Sequence, residues 1–117
     1  MILPKIDAYR FGEIIIDDQI YKKDLIITPS GVHTNWRRKK GHSLSMADLQ
    51  IIQKEPIKIL VIGTGFYGRM TVDKSLINNL EDLGIRVKCK NTNEACSTYS
   101  EISLNHEEIA AALHLTC

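Results

Sequence analysis

The sequence predicts one domain of the α/β class, spanning residues 1–117, in which helices flank a central mixed, mostly parallel sheet. An additional antiparallel β layer is predicted from the N-terminal third. In the second half of the chain, apolar β-branched runs alternate with segments of helical periodicity, a pattern typical of strand–helix–strand units with right-handed crossovers. In the first third, short strand-like runs are separated by turn signals, without a helix between them. The length of 117 residues fits a single domain.

Three strands are predicted in the N-terminal third, after an ordered edge or an irregular lead-in over residues 2–10. Residues 13–16 form a β-branched run that ends in the turn signal Asp17-Asp18, and residues 19–27 give the second strand of the resulting hairpin. The sequence Thr-Pro-Ser-Gly at 28–31 predicts a tight turn, because proline sets φ and glycine is free to take a positive φ. The third strand covers residues 32–36.

Alternating helices and strands are predicted for the remainder. Ser45 is a candidate N-cap, with Asp48 placed to reach back to it as in a capping box, and Pro56 ends this first helix. Gly84 stands where the glycine that follows the second helix belongs. The predicted elements are helix 46–54, strand 57–62, helix 73–83, strand 85–90, a helix from 91 or 92 to 102, and strand 109–115.

Composition excludes several classes of protein. The formal net charge of +1 argues against a general nucleic-acid or membrane-surface binder, which is usually clearly basic. No apolar stretch approaches the roughly 20 residues that a transmembrane helix needs. The three cysteines, Cys89, Cys96 and Cys117, lack a C-x-x-C spacing and fit reduced thiols better than a disulfide framework. We therefore expect a cytoplasmic protein that binds neither nucleic acid nor membrane.

The predicted buried strand 57–62 ends in Gly63-Thr64-Gly65-Phe66-Tyr67-Gly68, a G-x-G-x-x-G pattern. A dinucleotide fingerprint also requires a helix directly afterwards and an acidic residue about 20 positions on. Residues 69–72 are a poor helix start, and the next strand ends in Cys-Lys-Asn, so no dinucleotide and no other cofactor is expected. Two interpretations remain: the glycines serve turn geometry and close packing, or the turn lines a small-ligand pocket. The pocket would use Gly63, Thr64, Gly65, Tyr67 and Gly68.

The densest charge in the chain is the run Arg37-Arg38-Lys39-Lys40-Gly41-His42. Such a run is usually a solvated surface. The alternative is a site for a small anionic ligand, in which Arg37, Arg38 and His42 would contact a carboxylate or phosphate group. The predicted helix start near Ser45 would add backbone N–H groups to that site. Trp36 and Tyr67 are candidates for its walls.

His114 and Cys117 form an H-x-x-C pattern. Two ligands do not make a zinc site, and the other cysteines and histidines show no spacing that would supply more, so no metal is expected. A nucleophilic Cys117 activated by His114 would require the chain to turn after Leu115, because residues three apart on one strand point to opposite faces. The alternative is a core histidine followed by a segment that is held by packing.

Several short motifs together match a known family. They are Phe-Gly at 11–12, Thr-Pro-Ser-Gly at 28–31, Trp-Arg-Arg-Lys-Lys-Gly-His at 36–42, Leu-Val-Ile-Gly-Thr-Gly at 60–65, Leu-Gly-Ile at 83–85, Glu-Ala at 94–95 and His-Leu-Thr-Cys at 114–117. Over nearly its full length the chain resembles the Mth-type domain of unknown function. That family includes the adipogenesis-associated mammalian protein and the third assembly factor of mitochondrial respiratory complex I. The resemblance implies a central mixed sheet flanked by helices, with an added β layer.

Two functional hypotheses follow. The resemblance favours a non-enzymatic adaptor or assembly-type module that binds a protein partner or a second copy of itself. A role in complex I assembly is not expected, because no mitochondrial presequence is recognised. The alternative is a small enzyme or ligand-binding protein, with an anion pocket between the Gly63-Thr64-Gly65 turn and the loop from Arg37 to His42.

Overall fold

The computed structural model describes residues 2–117, which form two β-sheets and three α-helices. The smaller sheet is an antiparallel meander of β1 (Ile6–Arg10), β2 (Glu13–Ile16) and β3 (Gln19–Tyr21). The β2–β3 hairpin turns through Asp17 and Asp18, whose φ angles are 48° and 66°. Two consecutive positive φ angles are what a two-residue type I′ turn requires, so the predicted Asp-Asp turn is confirmed.

The larger sheet has five strands in the order β5–β4–β8–β6–β7. Its strands are β4 (Leu25–Thr28), β5 (Gly31–His33), β6 (Ile59–Gly63), β7 (Arg86–Lys90) and β8 (Ile109–Leu113). Strand β6 pairs in parallel with β7 and β8, whereas β4 pairs antiparallel with β5 and β8. The predicted α/β class, with a mixed central sheet and an added N-terminal antiparallel layer, is confirmed.

The prediction of one strand over residues 19–27 is wrong. The chain leaves the small sheet after Tyr21 and enters the central sheet at Leu25, so the first third of the chain is divided between the two sheets. All four residues of β4 are buried, as expected of a strand covered on both faces. The predicted strand 32–36 is also too long, because Asn35 adopts a φ of 56° and turns the chain away after β5.

Helices cover both faces of the central sheet. The predicted helix 46–54 is a 3₁₀ turn, Met46–Leu49, that continues into the short α1 (Gln50–Gln53). The Asp48 carboxylate accepts a hydrogen bond from the backbone N–H of Ser45, as the predicted capping box requires, and a second one from the Ser45 hydroxyl. The other helices are α2 (Lys74–Asp82) and α3 (Thr92–Ser103). No helix among residues 2–117 is long and apolar enough to cross a bilayer.

Alternate residues of the central strands face two separate hydrophobic clusters. Leu60 and Ile62 of β6 pack with α1 and α2, whereas Val61 packs with α3 and the small sheet. Strand β8 follows the same alternation, and its Ala111 belongs to the cluster that contains the large, fully buried side chain of Tyr99. Hydrophobic burial on both faces fixes the register, because a shift of one residue would exchange the two faces.

One edge of the central sheet gathers the residues that the sequence singles out. The parallel strands β6, β7 and β8 end there, and the antiparallel β4 begins there. We call this the carboxyl edge. Open α/β sheets bind ligands at this edge, so it is the first place to look for a site.

Candidate functional site

The glycine turn, residues 63–68, lies at the carboxyl edge and is closed by other parts of the chain. Residues 115–117 fold across it, and the start of α3 lies beside it. Five N–H groups in or directly after the turn are bonded within the chain. The donors and acceptors are Thr64 to Lys90 O at 2.9 Å, Gly65 to Thr92 Oγ1 at 2.8 Å, Phe66 to Thr116 O at 2.6 Å, Gly68 to Gly65 O at 3.1 Å and Arg69 to Cys117 O at 3.0 Å. These groups are therefore not free to cradle a phosphate.

Close packing explains why glycine stands at two of these positions. A Cβ on Gly65 would lie 2.3 Å from the carbonyl carbon of Cys117 and 2.9 Å from Cδ2 of His114, and the φ of Gly65 is +111°. A Cβ on Gly63 would lie 2.9 Å from Oγ1 of Thr92. Any side chain would displace backbone at Gly65, so the packing interpretation of the glycines has direct support.

A buried cluster of Asp24, Arg38 and His114 lies beside the glycine turn. Oδ2 of Asp24 is 2.9 Å from Nη2 of Arg38 and 2.8 Å from Nδ1 of His114, and its Oδ1 accepts from the N–H of Leu115 at 2.7 Å. Burial by itself would raise the pKa of Asp24, but the hydrogen bonds from His114, Leu115 and Arg38 lower it below its ordinary value. The carboxylate is therefore ionised, and Nδ1 of His114 carries the proton that it donates to Asp24.

The Arg38 side chain is turned inward, unlike its neighbour Arg37, which is exposed. Its guanidinium carbon lies 4.7 Å from the centre of the Trp36 ring, and Nε and Nη2 both donate to the Gly41 carbonyl. The side chain is only 4% exposed, and that of His114 is 6% exposed. Nη1 of Arg38 and Nε2 of His114 are both buried and have no hydrogen-bond partner among the described residues.

The structure brings several of the predicted site residues together. The basic loop of residues 37–42 meets the segment after the glycine turn, because the Thr71 N–H donates to the His42 carbonyl at 2.7 Å. The His42 ring contacts the His114 ring edge-on, with 5.9 Å between centroids. Arg38, His42 and His114 are thus neighbours, and Gly65 touches the His114 ring. The backbone carbonyl of Cys117 packs against Gly65 and accepts a hydrogen bond from the Arg69 N–H.

Other predicted site residues lie elsewhere. Arg37 is exposed outside the cluster, and Tyr67 is 65% exposed and belongs to an aromatic surface. Trp36 is buried beneath Arg38 instead of forming an outer wall. The sequence interpretation missed Asp24. The only available signal was the polar Lys-Lys-Asp stretch, which interrupts the apolar run that was assigned to one strand.

The aromatic surface is the second notable feature of the carboxyl edge. We call it the aromatic patch; it consists of Phe11, Phe66, Tyr67 and Arg69. The Phe11 ring lies 5.8 Å from that of Phe66 and 5.9 Å from that of Tyr67, and Arg69 lies 5.9 Å from the Tyr67 ring. Phe11 is 48% exposed, so two large aromatic side chains of this cluster face solvent.

A shallow groove of about 1210 Å³ lies at the opposite edge of the sheet, between the N-terminal segment and the end of α3. Ile2 and Leu104 are exposed on its wall. Size alone does not make it a better site. Two buried side-chain nitrogens have no hydrogen-bond partner among the described residues, and both lie at the carboxyl edge. Such atoms point to a ligand or a water molecule, because buried polar groups are nearly always hydrogen-bonded.

Groups of metal-ligand side chains and the state of the cysteines can be described for residues 2–117. No group of three or more His, Cys, Asp or Glu side chains in this range is placed to hold a metal ion. The cysteines are free thiols. Burial raises the pKa of Cys96 to about 12, so this thiol stays protonated.

The fold and the carboxyl edge define a small α/β domain in which the glycine turn packs against the chain's own residues 115–117. Over residues 6–114 the sequence matches the family described as "Protein of unknown function (DUF498/DUF598)", and the chain belongs to this family. A solution structure of a protein from Bordetella pertussis, described as a Mth938-like domain, is 18% identical, with a TM-score of 0.70 over 96% of this chain and 85% of that one. The Mth-type resemblance is therefore confirmed.

Other solved structures share the fold along almost all of both chains. The hypothetical protein PH1505 from Pyrococcus horikoshii OT3 is 29% identical, with a TM-score of 0.80 over 97% of this chain and 99% of that one. A protein from Bordetella parapertussis is 21% identical, with a TM-score of 0.82 over 98% of each chain. Neither description carries an activity, so function has to be argued from the site.

Proposed function

We propose that this chain is a non-enzymatic adaptor or assembly-type module that binds a protein partner through the aromatic patch. The observation that carries the proposal is the cluster of rings at Phe11, Phe66 and Tyr67, in which Phe11 and Tyr67 are exposed. Contiguous exposed apolar surface in a folded domain commonly marks an interaction site. Aromatic residues and arginine are also the residue types that dominate binding energy at interfaces.

The patch is preorganised by the backbone beneath it. Residues 115–117 hold the two chain segments that carry the patch. The Gly12 N–H, next to Phe11, donates to the Leu115 carbonyl at 2.8 Å, and the Phe66 N–H donates to the Thr116 carbonyl. The Tyr9 hydroxyl also donates to the Leu115 carbonyl at 2.8 Å. Burial raises the pKa of Tyr9 to about 12, so the hydroxyl keeps its proton. A surface held in this way loses little conformational entropy on binding.

Charge around the patch indicates the chemistry of the partner. Arg69 and Lys90 are exposed next to the glycine turn, and neither forms an ion pair with a residue in the described range. The exposed residues of the basic loop, Arg37, Lys39 and Lys40, are likewise without an acidic partner in that range. We infer that the partner is a protein with an acidic segment that also carries an apolar side chain. Complementary charge would speed association and select the partner.

The test compares the wild-type chain with the double variant Phe11→Ser, Tyr67→Ser. The control is Ile20→Ser, Leu104→Ser, which also removes two exposed large hydrophobic side chains but lies outside the patch. Proteins captured from source extract are quantified, and the stoichiometric partner is then purified and titrated. We expect the patch variant to bind at least about tenfold more weakly, as for loss of an interface hot spot, and the control to bind like wild type. Raised salt should weaken the wild-type complex.

Two outcomes would overturn this proposal. Equal loss of the partner in both variants would move the interface to the groove that contains Leu104. A wild-type dimer in sedimentation that dissociates in the patch variant would make a second copy of this chain the occupant of the patch.

The alternative function, a small enzyme or ligand-binding protein with an anion pocket, also has a specific observation in its favour. Nη1 of Arg38 and Nε2 of His114 are buried without partners in the described chain. The paired N–H groups of the glycine turn argue against the turn as the cradle of such a pocket.

A further inference from the structure

Arg38 and His114 each use one nitrogen to contact Asp24, and each has a second nitrogen that contacts no described residue. Nη2 of Arg38 and Nδ1 of His114 both point at the same oxygen, Oδ2 of Asp24, which is why they approach each other to 3.2 Å. The far nitrogens, Nη1 and Nε2, are buried and unpaired within residues 2–117. Buried polar atoms of native proteins are nearly always hydrogen-bonded, to protein, water or a ligand.

We propose that Nη1 of Arg38 and Nε2 of His114 hold a small oxyanion of the phosphate or carboxylate class. Asp24 acts as the positioning residue, because it accepts a hydrogen bond from each of the two side chains and so fixes their orientation. Three donors already occupy its oxygens: Arg38, His114 and the Leu115 N–H. This inference is independent of partner binding at the aromatic patch.

The charge of the surroundings favours an anion. Asp24 neutralises Arg38 locally, and the nearest further charges on the basic loop, Arg37, Lys39 and Lys40, are cationic and form no ion pair with described residues. Clustered charge of one sign raises the local concentration of the opposite ion. Guanidinium groups are the preferred donors for phosphate and carboxylate oxygens.

Access is through His42. Gly65 and the Cys117 backbone close one side of the His114 ring. A Cβ built on Gly65 would lie 2.9 Å from Cδ2 of His114 and would also overlap the Cys117 carbonyl. The His42 ring contacts His114 from the loop side, and His42 is exposed. Rotation of the His42 side chain would uncover the His114 ring without movement of the sheet.

Binding should depend on pH in a defined direction. Nδ1 of His114 donates its proton to Asp24, so Nε2 can donate to an anion only when the imidazole is protonated at both nitrogens. The titratable or charged groups that face His114 are Asp24 before β4 and Arg38 and His42 on the loop; the glycine turn and residue 117 meet it through backbone. Affinity should therefore increase as the pH falls.

The experiment follows the ¹⁵N imidazole resonances of His114 in the wild-type chain. Sodium sulfate is the first probe, because its charge does not change where imidazole titrates, and sodium chloride of equal ionic strength is the reference. Phosphate and acetate form two further arms that separate the tetrahedral from the carboxylate ligand. We expect a saturable shift of Nε2 with at least one of the three oxyanions, and tighter binding near pH 6 than near pH 8. The same linear drift in all salts, chloride included, would overturn the proposal.

Two matched variants test the assignment of the donors. Arg38→Gln should abolish the saturable shift, whereas Arg37→Gln, which removes the same charge from the exposed neighbour, should retain it. If Arg38→Gln does not fold, the wild-type titration still decides, because the His114 resonances report the anion directly. Loss of saturation in Arg37→Gln as well as in Arg38→Gln would show binding by the general charge of the loop and would overturn the site.

Discussion

The glycine turn and the basic loop meet at the same edge of the sheet, but they use their polar groups in opposite ways. Five N–H groups in or directly after the turn are hydrogen-bonded within the chain, and the backbone of Cys117 packs against Gly65. The loop sends Arg38 inward and leaves one of its nitrogens unpaired, while a Cβ on Gly41 would meet nothing within 4 Å. The N–H groups of the turn are paired, whereas the loop contributes a buried nitrogen that has no partner among residues 2–117.

The difference shows that a motif and a site are separate properties. Glycine permits the backbone to approach a ligand, but the same freedom permits another segment of the same protein to approach instead. Here residues 115–117 take the place that a phosphate group would occupy in a nucleotide-binding turn. Conversely, a charge run that would ordinarily be a solvated surface contains one residue, Arg38, whose side chain is buried and has a nitrogen without a partner among residues 2–117.

Replacement of the two glycines should give the largest contrast between the regions. Gly65→Ala should destabilise the protein by about 4 kcal/mol, because its Cβ would overlap the Cys117 backbone and because φ is +111°. Gly41→Ala should change stability by less than about 1 kcal/mol, since the space is open. Urea unfolding at equal slope measures both. Similar losses for the two variants would contradict a packed turn and an open loop.

Asp24→Asn should give the next largest effect, because it removes the only charge partner of the buried Arg38 among the described residues. Loss of one member of a buried pair costs about 3 kcal/mol. The pKa of Asp24 is lower in the folded chain than its ordinary 3.8, so its ionisation stabilises the wild type above that pH. That contribution is lost as the pH falls through the lower folded value.

The acid limb of the stability curve checks this assignment of Asp24. In urea unfolding from neutral pH down to about pH 2, the wild type should lose more stability than Asp24→Asn. Asp7→Asn is a suitable control, because Asp7 lies on β1 and its carboxylate contacts the Asp18 N–H and Lys5, none of which belongs to the cluster. An acid limb of unchanged depth in Asp24→Asn would contradict the ionised, hydrogen-bonded carboxylate.

Thr92→Val should have a smaller effect and would sharpen the account of the turn. The Thr92 hydroxyl accepts from the Gly65 N–H at 2.8 Å and donates to the His114 carbonyl at 2.6 Å, so valine leaves two buried groups unpaired. We expect a loss of about 2 kcal/mol. Thr64→Val, which loses one bond to the Lys90 carbonyl, should lose about 1 kcal/mol. If the two variants unfold at the same urea concentration, Thr92 does not link the turn to His114 energetically.

Local patterns in the sequence were enough to predict much of the fold. The alternation of Leu60, Val61 and Ile62 produces a strand with two buried faces, and the Asp17-Asp18 pair gives a two-residue hairpin turn. The break between β3 and β4 was not predicted. The polar Lys-Lys-Asp stretch was its only local sign, and it is the pairing of Leu25 and Ile26 with β8 that assigns them to the other sheet.

The candidate site was predicted in part. Arg38, His42 and His114 were identified from residue type and spacing, but their contact depends on how a loop and the end of β8 meet. Asp24 gave no distinguishing signal, since an aspartate next to lysines is most often a turn residue. The aromatic patch combines Phe11 with Phe66 and Tyr67, which are more than 50 positions apart along the chain.

The sequence by itself determined the class of the fold and the central strand that ends in glycines, because burial periodicity and turn chemistry are local properties of the chain. Only the tertiary structure decided what those glycines serve and which arginine of the basic run is buried. The physical reason is that hydrogen-bond partners such as Thr116, Cys117 and Asp24 come from distant segments. Whether a hydrogen-bond donor of the motif is paired depends on those distant segments, so the residues of the motif alone do not determine it.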